Sequence, residues 1–196
     1  MKKIVASDIL SFEQWEKVRG VLRPVFINEK EGRRLAVGSH LTFLFENTAT
    51  VWYQIEEMIR SERLSDVAAI QHEIDTYNEL IPSSGELSAT LLLEFAEAKE
   101  RDAALRRLVG IEQHVWLKLG EKRVSLQFDT RQMSSERVSS VQFVRFNVAL
   151  DSDRFLKLAA SNQVAMVVTH PNLGAEVSIS GELAKSLAAD LDDGVV

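Results

Sequence analysis

Apolar positions recur at steps of three and four through the first half of the chain and at steps of two through much of the second. This change of period predicts helices followed by strands. Ser11 and Gln14 have the spacing of a capping box, with Leu10 and Trp15 placed as a hydrophobic staple around it. Phe12, Trp15, Val18 and Leu22 then share one helical face. Pro24 restricts Arg23 and is expected to end this helix nearby.

Gly38 and Ser39 announce the next element. Leu41, Leu44, Phe45, Thr48, Val51, Trp52, Ile55, Met58 and Ile59 keep one stripe in phase, which predicts a single long helix. The stretch Leu41 to Phe45 also reads as a strand, with Asn47 or Thr48 capping a shorter helix. The continuous phase favours the long helix. Asp66 caps a third helix with Val67, Ile70, Ile74 and Tyr77 on one face, and the segment Pro82 to Gly85 closes the helical half.

The run Leu87 to Phe95 has β character, and a short helix from about Arg101 to Val109 ends at Gly110. Val115, Leu117 and Leu119 alternate, Gly120-Glu121 turns, and Val124, Leu126 and Phe128 alternate again, which is a hairpin signature. Val141 to Val148 is apolar on both parities, as in a central strand. Asp151 or Ser152 caps a helix near Phe155 to Ala160. The segments 164–169 and 175–180 flank a second turn, and 181–191 forms a last helix before a disordered acidic tail. The expected fold is α+β in one compact unit, residues 1–196. A mainly helical part (1–82) packs with a mainly antiparallel sheet of about five or six strands and short helices (85–191).

Composition narrows the chemistry. With 196 residues and only 3 Pro and 9 Gly, the chain holds a sizeable core and has no long linker. It has no cysteine, which excludes disulfides, thiolate nucleophiles and cysteine-ligated zinc or iron–sulfur centres. That agrees with a reducing, cytoplasmic compartment, as does the lack of a signal-peptide or membrane-length apolar run. The net charge of −6 falls entirely within residues 1–98, which argues against a nucleic-acid surface.

No phosphate loop, dinucleotide fingerprint or nucleophile elbow is present. His72-Glu73 lacks the second histidine of a zinc protease motif, because Thr76 stands there. No histidine has a carboxylate three residues before it, so the usual di-iron ligand pattern is missing. What remains is a polar line bordering the apolar stripe: Glu46, Thr50, Gln54 and Glu57 at steps of four, four and three. Glu73, Tyr77 and Asn78 follow on the next helix, then Glu86, Ser88 and Thr90. In an antiparallel helix pair these could converge. The candidate ligand-binding set is therefore Glu46, Gln54, Glu57, Glu73, Tyr77, Asn78 and Glu86, with Glu57 and Glu73 as candidate metal ligands. The opposing explanation is an ordinary amphipathic border, with Glu56 and Glu57 paired to Arg60 and Arg63 along the helix. Trp15, Trp52 and Trp116 are expected in the core rather than on a ligand platform.

The segments Val37-Gly38, Leu41-Thr42, Leu44 to Asn47, Thr50-Val51, Gln54-Ile55 and Glu57-Met58 resemble an uncharacterised bacterial family, domain of unknown function 3501. So do Glu73, Asp75 to Asn78, Leu80 to Pro82 and Gly85 to Leu91. The resemblance carries no activity, substrate, cofactor or catalytic residue. It implies a redox or oxidative-stress setting, through genes for rubrerythrin-like and iron–sulfur proteins encoded near family members. The favoured expectation is a non-enzymatic accessory protein of such a system, docking a basic partner on its acidic helices. The alternative is a small enzyme or a ligand- or metal-binding protein using the polar cluster. A third expectation is a homo-oligomer joined through the long helices.

Overall fold

The computed structural model describes residues 1–132 and 134–192. Among the described residues six α-helices pack with nine strands arranged in two antiparallel sheets, so the α+β expectation holds. The helices are α1 (Phe12–Gly32), α2 (Thr48–Glu62), α3 (Val67–Asn78), α4 (Ala98–Arg107), α5 (Ser152–Ala160) and α6 (Gly181–Asp192). The strands are β1 (Arg34–Val37), β2 (Leu41–Glu46), β3 (Glu86–Leu93), β4 (Val115–Leu119), β5 (Lys122–Ser125), β6 (Gln127–Phe128), β7 (Val141–Asn147), β8 (Val164–His170) and β9 (Leu173–Ser178). The first sheet has the order β1-β2-β3-β7-β6 and the second β5-β4-β8-β9. The tail beyond Asp192 lies outside the described residues.

Three expectations are corrected. One sheet of five or six strands becomes two sheets, and the first takes two of its strands from the half read as helical. The long helix over 41–59 is a strand followed by a helix. Leu41 to Glu46 is buried on both faces, so it shows no alternation and its apolar residues stay in phase with α2 by coincidence. The break is at Asn47, whose side chain accepts from the Thr50 amide while Thr50 Oγ1 accepts from the Asn47 amide. Gly38 opens the β1–β2 hairpin turn, where its φ of 66° suits a residue without Cβ. Finally, α1 runs through Pro24 to Gly32. Pro24 and Gly20, the residue whose carbonyl loses its helical partner, are both exposed, so water can satisfy that group.

The alternation of the strands sorts the residues into two cores. Leu41, Phe43 and Phe45 of β2, Leu87, Ala89 and Leu91 of β3, and Val144 and Phe146 of β7 point inward. They meet Leu117, Val164 and Met166 of the second sheet and Leu105, Phe155 and Leu187 of the helices. The other face of the first sheet is more polar. In register it carries the rows Glu46–Ser88–Arg145 and Leu44–Thr90–Phe143. Helices α2 and α3 cover part of that face through a smaller core of Ile4, Val51, Ile55, Ile59, Ile74, Leu80 and Ile81. Among the described residues no helix is long and apolar enough to cross a membrane.

One charge locks these layers. Arg33, at the end of α1, is 2% exposed and donates to the carbonyls of Phe45 (2.9 Å) and Glu46 (3.3 Å). It also donates to Ser186 Oγ (2.6 Å) and pairs with Asp190, both on α6. Breaking such a pair on one side leaves an uncompensated charge out of water. Asp190→Ala is therefore expected to cost about 3–5 kcal/mol in urea unfolding. The apolar pair Arg33→Met with Asp190→Leu is expected to recover much of that loss.

Candidate functional site

The expected polar cluster is distributed over several contacts. Glu46 is 1% exposed at the end of β2. Its two oxygens accept from Thr50 Oγ1 at 2.5 Å and Thr90 Oγ1 at 2.6 Å, so sheet and helix are joined through the carboxylate. Lys30 of α1 is near enough for the Glu46 charge to oppose the depression that burial imposes on its ammonium. That ammonium lies 5.5 Å from the Tyr53 ring centre.

Glu57 faces α1 instead. It accepts from Arg19 Nε (2.7 Å), Arg19 Nη2 (2.8 Å) and Trp15 Nε1 (3.1 Å). The Arg19 bonds lead in holding its carboxyl below the usual range. Gln54 and Tyr77 do come together between α2 and α3. Burial pushes the Tyr77 pKa up, and the charge of Glu73 one turn away adds to the rise. Asn78 is occupied by the N-terminal segment: its amide oxygen accepts from the Ile4 amide at 2.9 Å and its nitrogen donates to the Ile4 carbonyl at 2.8 Å. Glu86 accepts from Arg145 Nη1 at 3.3 Å and from the Ser83 amide at 3.2 Å.

Glu57 and Glu73 thus have different surroundings on different helices. Among the described residues no group of three or more His, Asp or Glu is placed to hold a metal ion. The helix-face pairs also differ from expectation, since Arg60 reaches Glu16 of α1 at 2.5 Å. Of the tryptophans, Trp15 is buried, Trp52 is half-buried and donates to the Asp8 carbonyl, and Trp116 lies under the Arg123 guanidinium at 4.4 Å.

Tyr77 borders a cleft of about 480 Å³ between the end of α3 and the β6–β7 edge of the first sheet. Leu80, Phe128 and Phe143 give it an apolar lining, while Ser88, Gln127 and Arg145 add polar atoms. Arg131, at its mouth, is bound by Asp129 and Glu79, and these bonds raise its pKa, Asp129 foremost. Ser88 Oγ donates to the Leu80 carbonyl, which fixes the α3–β3 connection at the cleft floor. Sequence reasoning missed this far wall, residues 127–129, 131 and 143–145. The available signal was Arg145, the one charge inside an otherwise uncharged interior strand.

Glu56, beside Glu57, has the opposite electrostatics. It is 1% exposed and its Oε1 accepts from the Leu10 amide at 2.8 Å. Burial raises its pKa from 4.5 to about 7, against the Leu10 bond and with help from the Glu57 charge. The folded state therefore holds this proton more tightly than the unfolded chain. Its contribution to stability is complete below pH 4.5 and is lost as pH rises through about 7. Glu56→Gln keeps an acceptor for Leu10 and removes the titration. Urea unfolding across this range is expected to show a flatter pH profile for the variant. Above pH 7.5 the variant is expected to be more stable than wild type by roughly 1–3 kcal/mol.

The comparisons with known proteins bear on the whole chain. A family model described as "Protein of unknown function (DUF3501)" matches residues 3–191. No curated protein matches. A crystal structure of a novel protein of unknown function from Burkholderia pseudomallei K96243 is similar at a TM-score of 0.88 and 34% identity. The match covers 97% of this chain and 100% of that one.

Proposed function

We propose, for a chain that belongs to the DUF3501 family of proteins of unknown function, a non-enzymatic accessory role in which the α3–β7 cleft receives a segment of a partner protein. The observation that carries this reading is the cleft's combination of an aromatic floor with a rim whose charges are already paired. Phe128, Phe143 and Leu80 offer apolar contact, while Arg131 and Arg145 are each held by carboxylates. A preorganised rim of both signs favours a segment bearing an apolar or aromatic side chain flanked by mixed charges. The tightly bonded state of Glu46, Glu57 and Asn78 supports a scaffold role for those side chains. A redox or oxidative-stress setting and a cytoplasmic location are part of the proposal, and rest on the family resemblance and the cysteine-free composition.

The cleft volume also falls within the range of small-molecule pockets, which favours a second reading as a ligand-binding protein or small enzyme using Tyr77, Ser88 and Arg145. A photoreactive residue at Gln127, which is exposed at the cleft, separates the two. In cells of the native host, the accessory reading expects one cross-linked protein partner. Its yield should fall at least about tenfold in Phe128→Ala and Arg145→Ala. No partner-specific product, together with a small molecule retained by wild type and lost in Phe128→Ala on native mass spectrometry, would support the second reading instead.

A further inference from the structure

The longest helix uses only one of its faces. Trp15 and Phe26 of α1 pack on Trp52 and Tyr53 of α2, with ring centres 4.9–6.0 Å apart, and Arg19 reaches Glu57 beside them. On an adjoining face, Gln14, Val18, Val21, Val25, Asn28 and Gly32 follow one another at alternating steps of four and three. This is the spacing of a coiled-coil seam, and it contains no charged residue. Its three valines stand in water: Val18 is 37% exposed, Val21 74% and Val25 59%.

We infer that this face of α1 is the contact between two copies of the chain, packed antiparallel about a two-fold axis near the midpoint of Val21 and Val25. The inference is independent of the cleft and of any partner it receives. The argument for a second copy is self-complementarity. A two-fold axis lays a surface on itself, so each position must fit its own reversed counterpart. In the antiparallel register Val21 faces the partner subunit's Val25, and Val18 faces the partner subunit's Asn28. Gln14 then faces the partner subunit's Gly32. The apolar layers are central and the polar or small ones lie at the ends, as in a typical interface with a dry centre and a wet rim.

The flanking charges obey the same symmetry. Lys17 and Glu31 occupy equivalent flanking positions of this seam, one before Val18 and the other before Gly32. Reversal places Lys17 against the partner subunit's Glu31, and the pair occurs twice. In a parallel pair Lys17 would instead lie against Leu22 of the partner subunit and Glu31 beyond the end of the partner helix, so neither charge would be paired. The charges therefore select the antiparallel arrangement. Glu31 is 65% exposed in its side chain, and its ion pair with Arg34 at 3.2 Å lies at the solvent-facing end of α1 within reach of a cation from a second copy.

Sedimentation velocity of the full-length protein at micromolar concentration tests this directly, with circular dichroism confirming that each variant keeps its helices. Wild type is expected to dimerise. Val21→Glu is expected to raise the dissociation constant at least about tenfold, by placing a charge in the central layers. Lys17→Glu is expected to weaken the dimer severalfold by setting like charges against each other, and Lys17→Glu with Glu31→Lys to recover most of the loss. A monomeric wild type would overturn the proposal, as would a dimer indifferent to Val21→Glu. Failure of the double charge reversal to recover what Lys17→Glu loses would overturn the antiparallel register.

Discussion

A guanidinium removed from water holds this molecule in its arrangement. Arg33 sits where α1 ends and β1 begins, and nothing but protein surrounds it. Burying a cation is unfavourable unless every donor finds an acceptor, so the surrounding chain is arranged to meet that demand. Two carbonyls come from the end of β2, and a hydroxyl and a carboxylate from α6 near the other terminus. Fixing the end of β2 fixes Glu46, which ties Thr50 of α2 and Thr90 of β3. The outer face of the first sheet, and the cleft at its far side, are positioned by this chain of contacts.

The sheet's outer face explains why polar residues of the first half were visible as a pattern and hard to read as a site. Glu46, Thr50 and Thr90 do converge, but into a buried bridge between strand and helix. Glu57 is turned by the helical repeat toward α1, where Arg19 and Trp15 take its lone pairs. Tyr77 and Gln54 face each other across the α2–α3 packing, and Asn78 serves as a two-bond clamp for the N-terminal segment. Side chains on one line of a helix share a direction only over a few turns, and here each short stretch of that line found a different neighbour.

The sequence made the second half legible because its strands are separated by strong turn residues and α5 opens on a good cap. Asp151 accepts from the Arg154 amide as expected, and the hairpin read through Phe128 pairs as far as Ser125, beyond which Gln127 and Phe128 join β7 of the first sheet instead. The capping box at Asn47 was present too, but Leu41 to Glu46 is buried on both faces and carries no period of its own, so an in-phase helix absorbed it. Pro24 misled for the opposite reason, since local stereochemistry was read without knowing that its side of α1 is exposed. The cleft was out of reach in a deeper sense. Its walls come from Tyr77 and from Phe143 and Arg145, which only the pairing of β3 with β7 brings together.

Between β5 and β6 lies a single residue, Leu126, and it is buried. The chain leaves one sheet and enters the other across that one position, with no slack. A wall of the cleft is therefore the direct continuation of the second sheet's edge strand. Load applied to Gln127 or Phe128 by anything that settles there passes along the backbone into Ser125 and its partner Trp116. The two sheets are mechanically in series at this point, so occupancy of the cleft would be felt in the second sheet as a change in the edge strand's hydrogen exchange.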